Sequence, residues 1–185
     1  LENLTVENMF LDSRVNLDNE IEIIKSNIIL SRVIENLNLT TSVYAIYDIT
    51  EGLILQYPFK IQNKRTVDQN SNFEFLIEND NSELKITNLL NDTETYLFND
   101  VSTLGKNHSL PFEIIDLDLE KFNKNGYKIQ INSHATVISF LKNNIILSEI
   151  SNSDIIDISF SSSNQSYSEK IINELINVYN LDGIM

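Results

Sequence analysis

Two histidines and a handful of carboxylates are the residues of this 185-residue chain whose types could do acid–base or metal chemistry. His108 stands between Asn107 and Ser109 in a turn-rich stretch, and His134 opens a candidate helix. Neither belongs to an H-x-x-x-H or H-E-x-x-H pattern, the spacing that puts two imidazoles on one helix face for zinc. They read as a surface histidine and a helix-start histidine. There is no G-x-S-x-G elbow, and two histidines leave few members for a Ser-His-Asp arrangement. Cysteine is absent, which excludes disulfides, thiolate chemistry and Cys-ligated zinc. Asp116 and Asp118 alternate along an expected strand with Glu113 nearby. Glycoside hydrolysis uses two such carboxylates roughly 5–10 Å apart in a cleft, and sugar clefts are usually lined with aromatics, yet the chain has no Trp to stack on a sugar. Asp80 and Asp92 offer loop oxygens to Ca²⁺ without the EF-hand spacing. Solvated loop charge accounts for all these carboxylates, so no residue is assigned a catalytic, cofactor-binding or metal-binding role.

The balance of 13 basic against 27 acidic residues, a net charge of −14, argues against nucleic acid or an anionic lipid surface as a partner. No basic stripe exists to release counterions. Hydrophobic content of 42% with 22% charged residues is that of a globular chain. No stretch approaches the ~20 apolar residues of a membrane helix, and no signal peptide opens the chain. The start at Leu1 without Met, and the end at Met185 just past a helix, suggest a piece excised from a longer protein.

The elements that would position these groups are organised around Asn19–Leu39. Two short apolar helical stripes stand there in tandem, separated by the polar break Lys25-Ser26-Asn27. Ile21, Ile24 and Ile28 share one stripe; Leu30, Val33, Ile34 and Leu37 share the next at i, i+3, i+4, i+7 spacing. Asn19 with Glu22 three residues on supplies a cap at the start. Strands are expected over 39–47, 57–61, 73–77, 83–89, 95–98, 110–117, 127–131, 145–150 and 154–161, with 73–77 and 83–89 as a hairpin. Pro111 stands near its strand's start, where it is tolerated. Residues 101–109 read as a loop, and Asn123–Gly126 as a turn. A helix is expected over 133–141, with Ser133 as a cap. The last helix runs from about Gln165 to Asn180, its stripe Tyr167, Ile171, Leu175 and Val178, capped by Asn164 or by Ser166 with Glu169. Helices at both ends with β-rich material between them make an α+β plan. The sheet, mixed or antiparallel, is expected to draw on both chain ends with helices packed on it. One domain over residues 1–185 is expected, with 63–119 as a possible β-rich insert.

The two ends also carry a resemblance. I-E-I-I-K-S-x-x-x-L-x-x-V-I-x-x-L-x-L, from Ile21 to Leu39, resembles the opening signature of the polysaccharide co-polymerase, or Wzz-type chain-length determinant, family. It is most similar to the external domains of Bacteroidetes-like exopolysaccharide (capsule) tyrosine kinases. Ser153–Tyr179 resembles the closing part of that domain, a strand with Ile155, Ile156, Ile158, Ser159 and Phe160 followed by a helix with Ile171, Asn173, Leu175 and Tyr179. The family usually has Pro where this chain has Gln165, and often Ala where it has Ser168; both replacements suit a helix N-terminus. Phe73-Glu74-Phe75, Pro111-Phe112-Glu113-Ile114 and Tyr127-Lys128-Ile129 come between in the family's order. The resemblance thus covers nearly the whole chain, and its motifs are packing motifs.

What the resemblance implies is a non-catalytic domain on the periplasmic face of a bacterial inner membrane. Such a domain regulates chain length or export of exopolysaccharide, capsule or O-antigen through a ring-like homo-oligomer, held in the membrane by flanking helices. Its expected partners are copies of itself, a polysaccharide polymerase or outer-membrane export channel, and the polysaccharide. No G-x-x-x-x-G-K-[ST] is present, so any kinase chemistry would lie outside this chain. The competing class is a stand-alone carbohydrate-binding or adhesion module, which predicts measurable glycan affinity through Tyr or Phe side chains where a co-polymerase body should show little. An enzyme acting through Asp116 comes third.

Overall fold

The computed structural model describes residues 17–64, 71–80, 83–90, 95–98, 110–151, 153 and 155–182. Two helices come first, α1 over residues 17–24 and α2 (Asn27–Leu37). The strands β1 (Thr41–Ile46), β2 (Glu51–Ile54), β3 (Lys60–Asn63), β4 (Phe73–Asp80), β5 (Glu83–Asn88), β6 (Thr95–Phe98), β7 (Phe112–Ile115) and β8 (Tyr127–Ile131) follow. Helix α3 (His134–Asn144), the strands β9 (Ile145–Glu149) and β10 (Ile156–Phe160), and helix α4 (Gln165–Asp182) complete the order. Among the described residues every strand pairing is antiparallel, and the fold is α+β. The loop expected over 101–109, with His108, and the loop residue Asp92 lie outside the described residues.

The backbone divides into two compact units, one made of Leu1–Leu39 with Ala135–Met185 and the other of Thr40–His134. Where the sequence pattern anticipates one domain with an insert at 63–119, the second unit is wider than that insert.

The first unit is helical. Its α1 stops at Lys25-Ser26, and Ser26 then caps α2, its Oγ accepting the Ile29 N–H at 3.3 Å. This break resets the helical phase. Ile28, expected on the apolar stripe, is exposed, and Ile29 is buried in its place beside Ile24, Leu30, Val33 and Ile34. Asn19 lies inside α1 and does not cap it, because the chain is already helical at Leu17. Asn38 ends α2 in the left-handed region at φ 52°, while the Leu39 N–H bonds the Ile34 carbonyl at 3.0 Å, a closure that Asn tolerates better than most residues. On α4 the cap is Asn164, whose Oδ1 accepts the Tyr167 N–H at 3.0 Å; Ser166 sits inside the first turn. Ile171, Leu175 and Val178 of α4 are buried with the α2 stripe, with Val137 and Leu141 of α3, and with Ile145 and Phe160 of the β9–β10 hairpin. Helices α2 and α4 pack directly together. Polar contacts join the same two parts of the chain: Asn36 Nδ2 donates to Glu174 Oε1 at 2.7 Å, and the Tyr179 hydroxyl donates to Glu20 of α1.

The second unit is a six-stranded sheet in the order β2-β1-β8-β4-β5-β6. Its centre joins strands distant in sequence, with Val43 opposite Ile129 and Ile129 opposite Phe75. Alternation puts Val43, Ala45, Phe75, Ile77, Leu84, Ile86, Ile129 and Ile131 on one buried face. The short pair β3–β7 contributes Phe112 and Ile114 to the same core, with Ile61 opposite Ile114. Gly126 turns the chain into β8 at φ +87°, where an added Cβ would lie 2.4 Å from the Ile77 carbonyl oxygen. The helices of the first unit share their core with the β9–β10 hairpin.

Candidate functional site

Asp116 and Asp118 do not alternate along a strand as their spacing suggests. Strand β7 ends at Ile115, and Asp116 then turns into the left-handed region at φ 54°. Asp tolerates that conformation because its short polar side chain can bond locally. Lys60 opposes Ile115 in the β3–β7 register, so the turn brings the Asp116 carboxylate to Lys60, with Nζ 2.6 Å from Oδ2. Two residues on, the Asp118 N–H donates to the Pro58 carbonyl at 2.7 Å, tying this loop to the segment before β3. Asp118 also starts a 3₁₀ turn over Leu119–Lys121. Its Oδ1 accepts the Glu120 N–H at 3.1 Å, and its Oδ2 lies 2.9 Å from Lys121 Nζ. The contact with Lys121 is the main cause that holds the Asp118 carboxyl below the usual Asp value, outweighing desolvation.

These two loops frame an open pocket of about 510 Å³. Its floor is aromatic. Phe59 is buried, with the Tyr57 ring 4.9 Å and the Tyr127 ring 5.3 Å from its centroid. Phe122 braces Tyr127 from behind at 4.9 Å, edge to face. Tyr57 is half-buried. Burial pushes both the Tyr57 and Tyr127 hydroxyls up from the usual tyrosine value, and the Tyr127 hydroxyl accepts the Asn123 N–H at 3.3 Å. The rim carries Gln56 and the two lysine–aspartate pairs.

The structure brings Asp116 and Asp118 to one pocket and leaves Glu113 out of it. Glu113 lies within β7 opposite Gln62, alternating with the buried Phe112 and Ile114. His134 is the first residue of α3 and does not line the pocket; Asp80 closes β4. Among the described residues no three His, Asp or Glu side chains are gathered as metal ligands would be. Chemically, both carboxylates are ion-paired, and a lowered pKa makes Asp118 a poor proton donor near neutrality, the opposite of what a glycosidase acid needs. The arrangement suits binding: an apolar floor with a few polar groups at its edge. Sequence reasoning read Tyr57-Pro58-Phe59-Lys60 only as the restart of a strand. The signal it held was two aromatics and a cation flanking a proline.

A second polar cluster lies on the outer face of the six-stranded sheet. Lys128 pairs with Glu51 and, at 3.2 Å, with Glu74, and its ammonium stands 4.8 Å from the Tyr44 ring centroid. Burial works against the Lys128 charge, but the two carboxylates outweigh it and its pKa is raised. Burial is also the main cause that raises the Tyr44 hydroxyl, whose O–H donates to Gln130 Oε1 at 3.3 Å. All these groups satisfy one another, so the cluster reads as a brace across β2, β1, β8 and β4.

No protein-family model and no curated protein matches the chain.

Proposed function

We propose that the chain is a mechanical, non-catalytic body on the periplasmic face of a bacterial inner membrane, belonging to a protein of the polysaccharide co-polymerase kind. It acts by assembling with copies of itself and so governs the length or export of an exopolysaccharide, capsule or O-antigen. The observation that carries this reading is the first unit, in which the opening helices α1 and α2 and the closing helix α4 are buried around one core. A body anchored through membrane helices on either side needs both of its chain ends held by one rigid element. A single unit built from both ends transmits the spacing of such anchors, and a loosely tethered tail does not. The acidic surface fits contact with protein partners rather than with nucleic acid or anionic lipid. None of the described helices is long and apolar enough to cross a membrane, so on this reading the anchors lie outside the described helices.

The test is genetic. Deleting the gene in its source organism and resolving the surface polysaccharide by length on a gel should give an altered modal length or a loss of surface polymer, restored by the intact gene. An unchanged length distribution and amount would overturn the proposal. The second reading, a carbohydrate-binding module, is favoured by the aromatic floor of the pocket at Tyr57. It predicts measurable glycan affinity for the isolated chain and no effect on polymer length.

A further inference from the structure

We infer that the pocket between residues 56–60 and 116–121 is a binding site for a neutral saccharide ring. Three features of the pocket argue for this ligand class. The half-buried Tyr57 ring, 4.9 Å from that of Phe59, lines the pocket with an aromatic surface of the kind the C–H side of a pyranose covers. The rim groups are hydroxyl-directed. Asp116 and Asp118 accept, the Lys60 and Lys121 ammonium groups donate, and the Gln56 amide does both. The charges are also already balanced, two lysines against two aspartates. A charged ligand meets an opposing charge beside each attracting one, so its net charge gains little from this rim. A neutral polyol can use the donors and lone pairs that the two ion pairs leave spare, because a carboxylate has about four lone-pair sites and an ammonium three donors. Within a chain of net charge −14 the pocket rim is a locally neutral patch.

The geometry is held before any ligand arrives. The Asp118 N–H to Pro58 carbonyl bond clamps one wall to the other, and the left-handed turn at Asp116 aims its carboxylate at Lys60. Such pre-ordering lowers the entropic cost of binding. The pocket's volume falls within the roughly 300–1,000 Å³ span of small-molecule sites. It is open to solvent, however, so a single ring buries little area, and the expected dissociation constant is on the order of 1–10 mM. That is a transient hold on each ring, compatible with a polymer passing over the body. The inference does not rest on the proposed function: occupancy is read on this chain in solution, and polymer length is read in cells.

The experiment is an amide-resolved NMR titration of the 185-residue chain with methyl α-D-glucopyranoside, methyl α-D-galactopyranoside and methyl β-N-acetylglucosaminide, with sodium glucuronate and inorganic phosphate in parallel arms. At least one neutral glycoside should shift the amides of residues 56–60 and 116–121 saturably. Tyr57→Ala should weaken that binding by at least about 10-fold. Lys121→Met and Asp116→Asn, at exposed positions where folding is not at stake, should each weaken it several-fold. Saturable shifts at the pocket with glucuronate or phosphate alone, or no pocket shift with any neutral glycoside, would overturn the inference. So would glycoside binding that all three variants leave unchanged.

Discussion

Leu175→Ala probes the unit that carries the functional reading. Leu175 is fully buried on α4 in the core shared with α2, α3 and the β9–β10 hairpin. The substitution removes three carbons, worth about 0.8 kcal/mol each in transfer from water, or roughly 2.4 kcal/mol. The cavity left behind adds to that, and large-to-small changes at closed sites of this kind cost about 2–5 kcal/mol. Two cores make a single optical transition a poor reporter, so the assay is a urea titration followed by NMR at named residues. Signals of Leu30 and Val33 on α2 should lose their native positions at lower urea in the variant than in the parent. Resonances of Ile77 and Ile129, in the core of the six-stranded sheet, report the other unit. If the α2 signals keep the parental midpoint while α4 is destabilised, the two ends do not share a core and the reasoning fails.

Three further outcomes are expected. Gly126→Ala should cost more than about 2 kcal/mol in urea unfolding, since it combines a positive φ with a Cβ placed 2.4 Å from the Ile77 carbonyl oxygen. Asn164→Ala should cost about 1 kcal/mol through loss of the α4 cap, and Ser166→Ala, inside the first turn, should change the urea midpoint far less. Stability should fall as pH rises through the alkaline range. Lys128 and Tyr44 are both raised above their ordinary values of 10.5 and 10.0 in the fold. The stabilisation each contributes is therefore complete below those values and is lost as pH climbs through the higher folded-state values. Urea midpoints followed upward from about pH 9 should decline, and less steeply in Tyr44→Phe.

Much of the fold was legible because its signals are local. The hairpin of β4 and β5, the alternation in β8 and the apolar stripe of α4 each follow from side-chain period alone. The polar break at Lys25-Ser26 was legible too, but its consequence was not. A cap at Ser26 restarts the helix in a new phase, which exchanges Ile28 for Ile29 in the core. Asn19 misled because Asn three residues before Glu reads as a cap wherever it falls. The division into two units was hidden because it depends on which apolar faces meet, and period does not say that. The pocket was the least legible feature. It is made by a register, Lys60 opposite Ile115, and by a left-handed residue, Asp116. Neither is written in composition or spacing. The carboxylates drew attention, while Lys60, which neutralises Asp116, stands 56 residues before it and the Tyr57 ring is hidden in a strand-like run.

Native-state hydrogen exchange across α2 and α4 tests most directly whether the opening and closing segments behave as one body. The amides of Leu30, Val33 and Ile34 and those of Ile171, Leu175 and Val178 should exchange through one common opening, with the same free energy and the same dependence on urea. If α2 opens at a markedly lower free energy while α4 stays protected, the two chain ends are separate elements and the mechanical reading falls.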